Sequence, residues 1–386
     1  MSAGRFRGFS APETMIVCVD IQSAVAQRAG VGRYTRMLVQ HLGEAAGEDR
    51  LLLFYFDFRR AGEHFPVKGA GLQVERRLPG RWVQASWRKF AWPPFDWLAG
   101  RADVYHFPNF IRPPLKKGKS VVTIHDLSFL RFPQTAEKRN LAYLRKRISG
   151  TVKAADAIVA ISEFTAREIE QLLGAPRNKI HVVASGLAEH IREPEAEKVR
   201  ELKDRLGLER PYLLNVGTLE PRKNIAFLVE IFELLRGFDG DLVLAGMKGW
   251  SFQPILDRIS SSRRADRIRL LDYVAEADLP ALYAGAELFV FPSLYEGFGF
   301  PPLEAMACGT PVLSSTAGSL PEVLGEGAEF CPGFDPAQWA EKIQTFLADF
   351  SRRREAVERG RRRALSFTWK ETARRTWEIY RSVGEK

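Results

Sequence analysis

The chain has 386 residues, of which 45% are apolar and 27% charged; that length exceeds what one hydrophobic core serves, so two domains of similar size are expected. The three cysteines, Cys18, Cys308 and Cys331, are too few for a disulfide framework, and two lie in apolar or Gly-rich surroundings that predict buried thiols and a reducing, cytoplasmic setting. No run of about 18 apolar residues could span a bilayer, the opening MSAGRFRGFSAPET lacks the apolar centre of a signal peptide, and the net charge of +10 favours anionic partners without choosing among nucleotides, phospholipid headgroups and nucleic acid.

From Met15, MIVCVDI reads as a buried strand, followed by the glycine-bearing loop QRAGVGRY and a helix, TRMLVQHL, with apolar residues at helical spacing. Similar units follow in LLLFYF, ADVYHFP, KSVVTIHDLSF and AADAIVAISEFTAREIEQLL, and HVVASGL closes this series near residue 187. Within it, residues 81–97, RWVQASWRKFAWPPFDW, carry four tryptophans, two phenylalanines and several cations. That mix suits a headgroup interface or a lipid carrier, or else a loop of core and surface aromatics; the basic residues of EKRNLAYLRKRISGTVK add to the first reading. Residues 189–210 combine proline, dense charge and one amphipathic stretch, which marks a domain boundary.

The second series runs PYLLNVGTLEPRKN, FLVEIFELL, DLVLAGMKG, IRLLDYV, ADLPALYAGAELFVFPS, PPLEAMACG and PVLSS. SRRREAVERGRRRAL, with Arg and Glu at helical spacing, predicts a solvated helix face, and SFTWKETARRTWEIYRSV a closing amphipathic helix. Strands alternating with helices predict two doubly wound α/β domains with parallel sheets.

In such sheets ligands meet the loops beyond the carboxyl ends of the strands, where helix N-termini present N–H groups and partial positive charge. After LFVFPS comes LYEGFGFPPLEAMACGT, with Glu296 in a loop, Gly297 and Gly299 keeping the backbone bare, and Pro301 or Pro302 opening a helix that carries Glu304. Singly, Glu304 reads as a first-turn acid on its own helix dipole and Glu296 as a solvent-facing loop acid; together they suggest a site for vicinal hydroxyls and phosphate. GTLEPRKN puts Gly217, Thr218, Arg222 and Lys223 in a loop at the same end of the sheet, where two cations at a helix start favour a bound anion. In VVTIHDLSF, His125 and Asp126 follow a β-branched strand, and Gly32 in AGVGRY marks a loop open to close approach. Ser162 in VAISEFT reads equally as a helix N-cap.

EGFGFPPLEAMACGTPV, with GVGRY, HDLSF, ISEFT and GTLEPRKN upstream in the same order, resembles the retaining GT-B glycosyltransferases of family 4 from about residue 15 to 380. The resemblance implies the GT-B fold: two Rossmann-like domains facing a cleft, residues 1–190 for the acceptor, 191–365 for a nucleotide-sugar donor, and a helix, 366–386, returning to the first domain. It implies that Glu296 contacts hydroxyls of the transferred sugar and Glu304 the nucleotide ribose. The N–H groups around Phe298, Gly299 and Phe300 are implied to bind the sugar, and Leu303 to lie near the helix start facing the diphosphate. Arg222 and Lys223 take the departing diphosphate, with Arg222 in the arginine role because Thr218, not arginine, follows Gly217; His125 faces the sugar's 6-hydroxyl. The phrasing of GTLEPRKN, HDLSFLRFPQT and SEFT is most similar to GDP-mannose-dependent mannosyltransferases of surface polysaccharide assembly, with UDP-glucose and dTDP-rhamnose as alternative donors.

The sugar nucleotide is then a substrate, and neither cofactor nor metal is expected. Asp239 and Asp241 form a D-x-D pair, but it precedes its strand and reads as a turn. The acceptor expected is a saccharide or lipid-linked saccharide, with the protein peripheral on an anionic cytoplasmic membrane face. A dehydrogenase is disfavoured because the G-x-G-x-x-G spacing is broken and only Asp57 could serve a ribose. A nucleic-acid-binding protein is disfavoured because no RNP stretch, zinc spacing or helix-turn-helix signature occurs.

Overall fold

The computed structural model describes residues 14–27, 30–60, 65–135 and 138–385, with backbone alone at 138–140. Residues 1–13 of the opening segment, Arg28 and Ala29 of the first glycine loop and Glu137 of the basic stretch lie outside the described residues. Among the described residues no helix is long and apolar enough to cross a membrane.

Seven strands, β1 (Ile16–Asp20), β2 (Arg50–Phe56), β3 (Ala70–Glu75), β4 (Val104–Phe107), β5 (Lys119–Ile124), β6 (Ala157–Ala160) and β7 (Ile180–Val182), form a sheet ordered β3-β2-β1-β4-β5-β6-β7. Six more, β8 (Tyr212–Val216), β9 (Asp241–Ala245), β10 (Ile268–Leu271), β11 (Leu288–Phe291), β12 (Val312–Ser315) and β13 (Glu329–Cys331), form a second sheet ordered β10-β9-β8-β11-β12-β13. Pairing runs parallel, for example Leu214 with Phe289 and Leu214 with Val243. Central strands such as β4, β9, β11 and β12 are buried at every residue, as expected for strands covered by helices on both faces. Both sheets reverse their strand order once, at β1/β4 and at β8/β11, so the loops after β8 and β11 flank the switch point of the second sheet.

Two strands are missing from the expected series. β3 is an edge strand with exposed residues at its centre, and β13 is three residues long, so neither carries the apolar run that marks a buried strand.

By internal contacts the chain divides into two compact units, residues 1–123, 154–158 and 373–386 in one, and 124–153 and 159–372 in the other. In the first, the closing helix Trp369–Gly384 contributes Trp377, whose indole N–H donates to the Leu42 carbonyl at 3.0 Å, and Tyr380, whose hydroxyl lies 2.6 Å from His106 Nδ1. His106 Nε2 in turn lies 2.8 Å from Thr123 Oγ1, and all of these side chains are buried. The second unit has a core built from β8, β9 and β11 packed on the helices Ile225–Leu234 and Pro336–Ala348, with Trp339 at its centre.

The arginine-rich helix Phe350–Ala364 has the solvated face expected, at Arg354, Glu355, Glu358 and Arg362, but also faces that engage protein. Its Ala356, Gly360 and Ala364 are buried along one stripe, with Gly360 against Met306. Arg352 and Arg359 both pair with Glu329, Arg353 pairs with Glu287, and Arg363 donates to the Val323 and Glu322 carbonyls. Charge at helical spacing looks the same in sequence whether its partners are water or a neighbouring element. All three cysteines are free and buried.

Candidate active site

The loop after β8 folds as a short 3-10 turn, Pro221–Lys223, closed by Asn224 in the left-handed conformation, and leads into the helix Ile225–Leu234. The loop after β11 lies against it: Leu294 N–H donates to the Arg222 carbonyl at 2.9 Å, and Arg222 Nη1 donates to the Tyr295 carbonyl at 2.7 Å. This register brings three of the expected residues together. Lys223 Nζ is 2.7 Å from Glu296 Oε1 and Arg222 Nη1 is 3.1 Å from Glu296 Oε2.

All three are shielded, with side-chain exposures of 11%, 16% and 9% for Lys223, Arg222 and Glu296. A solvent-facing loop acid and a surface cation pair are therefore both excluded. Burial alone would push the Glu296 carboxyl up, but attraction to Lys223 and then Arg222, with the Lys223 hydrogen bond, outweighs it and holds the group at about 2. Burial pulls the Arg222 guanidinium down, and Glu296, Glu220 and Asp126 more than reverse this, so it stays charged. The two cations thus do not stand as bare positive charge: Arg222 Nη2 also pairs with Glu220 at 2.5 Å, and Asp126 adds its field.

Past Glu296, the chain turns so that its carbonyls face protein. Ser319 Oγ donates to the carbonyls of Glu296 and Phe298, each at 3.1 Å, Ser319 N–H donates to the Glu296 carbonyl at 3.0 Å, and Ser162 Oγ donates to the Gly297 carbonyl at 2.8 Å. The N–H groups from Gly297 to Phe300 make no hydrogen bond among the described residues, so the loop offers donors with its acceptors already occupied. Gly299 adopts φ 105°, a conformation side chains resist, and starts the helix Phe300–Ala307. The residues Pro301 and Pro302 bring no N–H to this end, so the donors there come from Gly299 and Phe300.

The other expected residues are placed as follows. Phe298 is buried, its ring 5.0 Å from that of Phe300 and 5.6 Å from that of Phe367, so only its backbone can face a ligand. Leu303 is fully buried and its N–H points to the Gly299 carbonyl at 3.5 Å. Glu304 is the fifth residue of its helix, not a first-turn acid; it is buried, and the Tyr283 hydroxyl donates to Oε2 at 2.9 Å. Gly217 lies beneath the Lys223 stem, where a Cβ would meet Cε at 3.6 Å. His125 is buried, and its carbonyl is approached so closely by Gly297 that a Cβ there would lie 2.1 Å away. Gly32 falls inside the helix Val31–Ala45, not in a loop, and belongs to the first unit; a Cβ there would lie 2.1 Å from the Gln27 carbonyl oxygen.

Ser162 caps the helix Glu163–Leu173 by accepting from Thr165 N–H at 3.1 Å. Asp239 pairs with Arg210 and Arg267, and Asp241 with Arg267, at the start of β9.

Residues 28–190 match the model of Glycosyltransferase Family 4, and residues 198–363 that of Glycosyl transferases group 1. The O-antigen chain mannosyltransferase B of Escherichia coli is 33% identical over 374 residues, covering 91% of this chain and 96% of that protein. The chain belongs to glycosyltransferase family 4. This family 4 glycosyltransferase is also 34% identical over 271 residues to the E. coli serotype-specific mannosyltransferase WbdA, covering 66% of the chain but 32% of that longer protein. Among solved structures it superposes on sucrose-phosphate synthase from Thermosynechococcus elongatus with TM-score 0.76 at 21% identity, covering 96% and 99% of the two chains. WaaG, a glycosyltransferase involved in lipopolysaccharide biosynthesis, gives TM-score 0.71 at 14% identity with 94% and 99% covered. At those identities the likeness establishes the fold, GT-B.

Several residues of the site were not anticipated. Tyr295 donates its hydroxyl hydrogen to Glu168 Oε2 and accepts from Leu127 N–H at 3.0 Å, while Arg131 Nε donates to Glu168 Oε1 at 2.6 Å. Its ring lies edge-on to those of Phe132 and Phe164. Tyr295 therefore anchors the residue before Glu296. Glu220, Tyr295 and Ser319 all follow strands of one sheet, at the end where ligands bind, and that position was the available signal; Tyr283, inside a helix, had none.

Proposed function

We propose that this enzyme transfers a mannosyl residue from GDP-mannose to a saccharide or lipid-linked saccharide in surface polysaccharide synthesis, with retention of anomeric configuration and without a metal ion. The observation that carries the reading is the 33% identity, over nearly all of both chains, to an O-antigen chain mannosyltransferase. In this proposal Glu296 accepts hydrogen bonds from sugar hydroxyls, Glu304 serves the nucleotide ribose, and His125 lies against the sugar. The N–H groups at Gly297–Phe300 supply donors for sugar and phosphate oxygens.

Because the anomeric carbon develops positive character as its bond to the diphosphate breaks, catalysis depends on stabilising the leaving group. Arg222 and Lys223 do this while remaining partnered by Glu296, so the donor shares cations that are already oriented and no reorganisation is needed. The leaving phosphate oxygen takes the acceptor's proton on the same face, which gives retention. The enzyme acts in the cytoplasm, peripheral to a membrane that holds the acceptor.

The test is to incubate the protein with GDP-mannose, UDP-glucose and dTDP-rhamnose in turn, with and without EDTA, and follow nucleotide diphosphate release and product anomer by NMR. Turnover of GDP-mannose, unaffected by EDTA and giving the α-anomer, is expected. Turnover of another donor alone would overturn the mannosyl reading, and loss of activity with EDTA would overturn metal independence.

A further inference from the structure

The segment between β3 and β5 carries more of the chain's positive charge than its length would give it. From Arg81 to Lys119 there are eight Lys and Arg against two Asp, a net +6 of the chain's +10. The same segment holds four of the chain's most exposed large apolar side chains: Trp82 at 65%, Phe90 at 68%, Trp92 at 59% and Trp97 at 57%.

These residues belong to one local assembly. The helix Gly80–Phe90 buries Val83 and Trp87 on one stripe, leaving Trp82, Ser86, Lys89 and Phe90 along the neighbouring one. Ser86 Oγ donates to the Trp92 carbonyl at 2.5 Å, and the Trp87 indole N–H donates to the Pro93 carbonyl at 2.6 Å, which fixes residues 91–94 against that helix. The helix Phe95–Ala99 packs through Phe95 on Trp87 and leaves Trp97 outside, with Lys116 Nζ over its ring at 5.3 Å. Trp97 rims a cleft of about 870 Å³ whose walls include Arg101, Lys116, Lys117 and Lys119. Three acids share these walls: Asp96 accepts from Lys116 N–H, Asp103 from Ile16 N–H, and Asp156 from Ser120 while lying 3.8 Å from Lys119 Nζ.

Exposed tryptophan and phenylalanine are costly in water and, with cations beside them, favourable at the headgroup layer of a bilayer, where the rings reach the acyl boundary and the cations meet phosphate. We propose that this face, from Trp82 to Lys119, docks on an anionic phospholipid bilayer. The charge complementarity selects the occupant: a second copy of the chain would bring +6 against +6. The inference deepens the peripheral placement proposed above, and it is measured without donor or acceptor, so its failure leaves the transfer reaction untouched.

The full chain is sedimented with vesicles of phosphatidylcholine alone and of phosphatidylcholine doped with phosphatidylglycerol, at low and raised salt, while tryptophan emission is recorded. Binding to the anionic vesicles with a blue shift, weakened by salt, is expected. The double variant Arg88→Glu/Lys89→Glu should bind at least about tenfold more weakly, since each cation near the surface contributes roughly fivefold. Trp82→Ser/Trp92→Ser should weaken binding several-fold and lessen the blue shift. All four side chains are exposed, and thermal melts confirm that the variants fold. No binding to anionic vesicles, equal binding to neutral ones, binding unchanged in both variants, or a dimer in sedimentation that the same variants dissociate would each overturn the proposal.

Discussion

Glu296 stays ionised well below the ordinary carboxylate range because Lys223 and Arg222 flank it, and this has a consequence for stability. Its carboxyl is lowered from 4.5 to about 2 on folding. The folded state therefore gains stability that is fully present above pH 4.5 and is lost as pH falls toward 2, worth roughly 3 kcal/mol. Glu296→Gln should lower stability by that amount at pH 7, and urea melts between pH 7 and 3 should find the gap to the wild type closing below pH 4.5. A constant gap across that range would refute the ionic account. Tyr295 acts one residue earlier. Tyr295→Phe keeps the ring contacts but leaves Glu168 Oε2 and Leu127 N–H without the hydroxyl, so a loss of about 1–3 kcal/mol is expected in the same melts. A variant as stable as the wild type would mean that water replaces the hydroxyl at no cost.

Among elements, the loops after β8 and β11 bring Arg222, Lys223 and Glu296 together because they flank the switch point of one parallel sheet. The strand alternation and the glycines and prolines after LFVFPS made this position legible in the sequence. Their union was not: Lys223 and Glu296 are 73 residues apart, and nothing in either stretch states that one loop's carbonyl accepts from the other's amide. The bland alternative for Glu304, an acid in the first turn of its own helix, falls because Gly299, in a left-handed conformation, caps the helix before both prolines and so places Glu304 a turn further on. Gly297 tests how closely this loop must be seated. A Cβ there would lie 2.1 Å from the His125 carbonyl and 2.8 Å from Asp126 Cβ, so Gly297→Ala must push the loop away. Overpacking of this kind costs about 1–3 kcal/mol, and transfer should fall further than stability because Glu296 moves with the loop. An alanine variant with wild-type turnover would show that the close approach is incidental.

At the scale of the molecule, two parallel sheets wrapped by helices were expected from the repeated strand and helix units, whereas their strand order was not legible and the edge strands β3 and β13 escaped because exposed or very short strands leave no apolar run. The closing helix was legible as amphipathic, but not the partners of its buried face. Trp377 and Tyr380 bind Leu42 and His106 within the first compact unit, so the end of the sequence completes the core at its beginning. Trp377→Ala should cost about 3–5 kcal/mol, read by thermal melting, with unchanged nucleotide affinity in the variant that remains folded. The central claim, that Glu296 serves the sugar and Glu304 the nucleotide, is tested most directly by calorimetric titration of the wild type, Glu296→Ala and Glu304→Ala with GDP, alongside transfer rates. The account predicts that Glu304→Ala weakens GDP binding and transfer together, while Glu296→Ala retains GDP binding and loses transfer. Equal loss of GDP binding in the two variants, or a wild type that binds neither GDP, UDP nor dTDP, would contradict it.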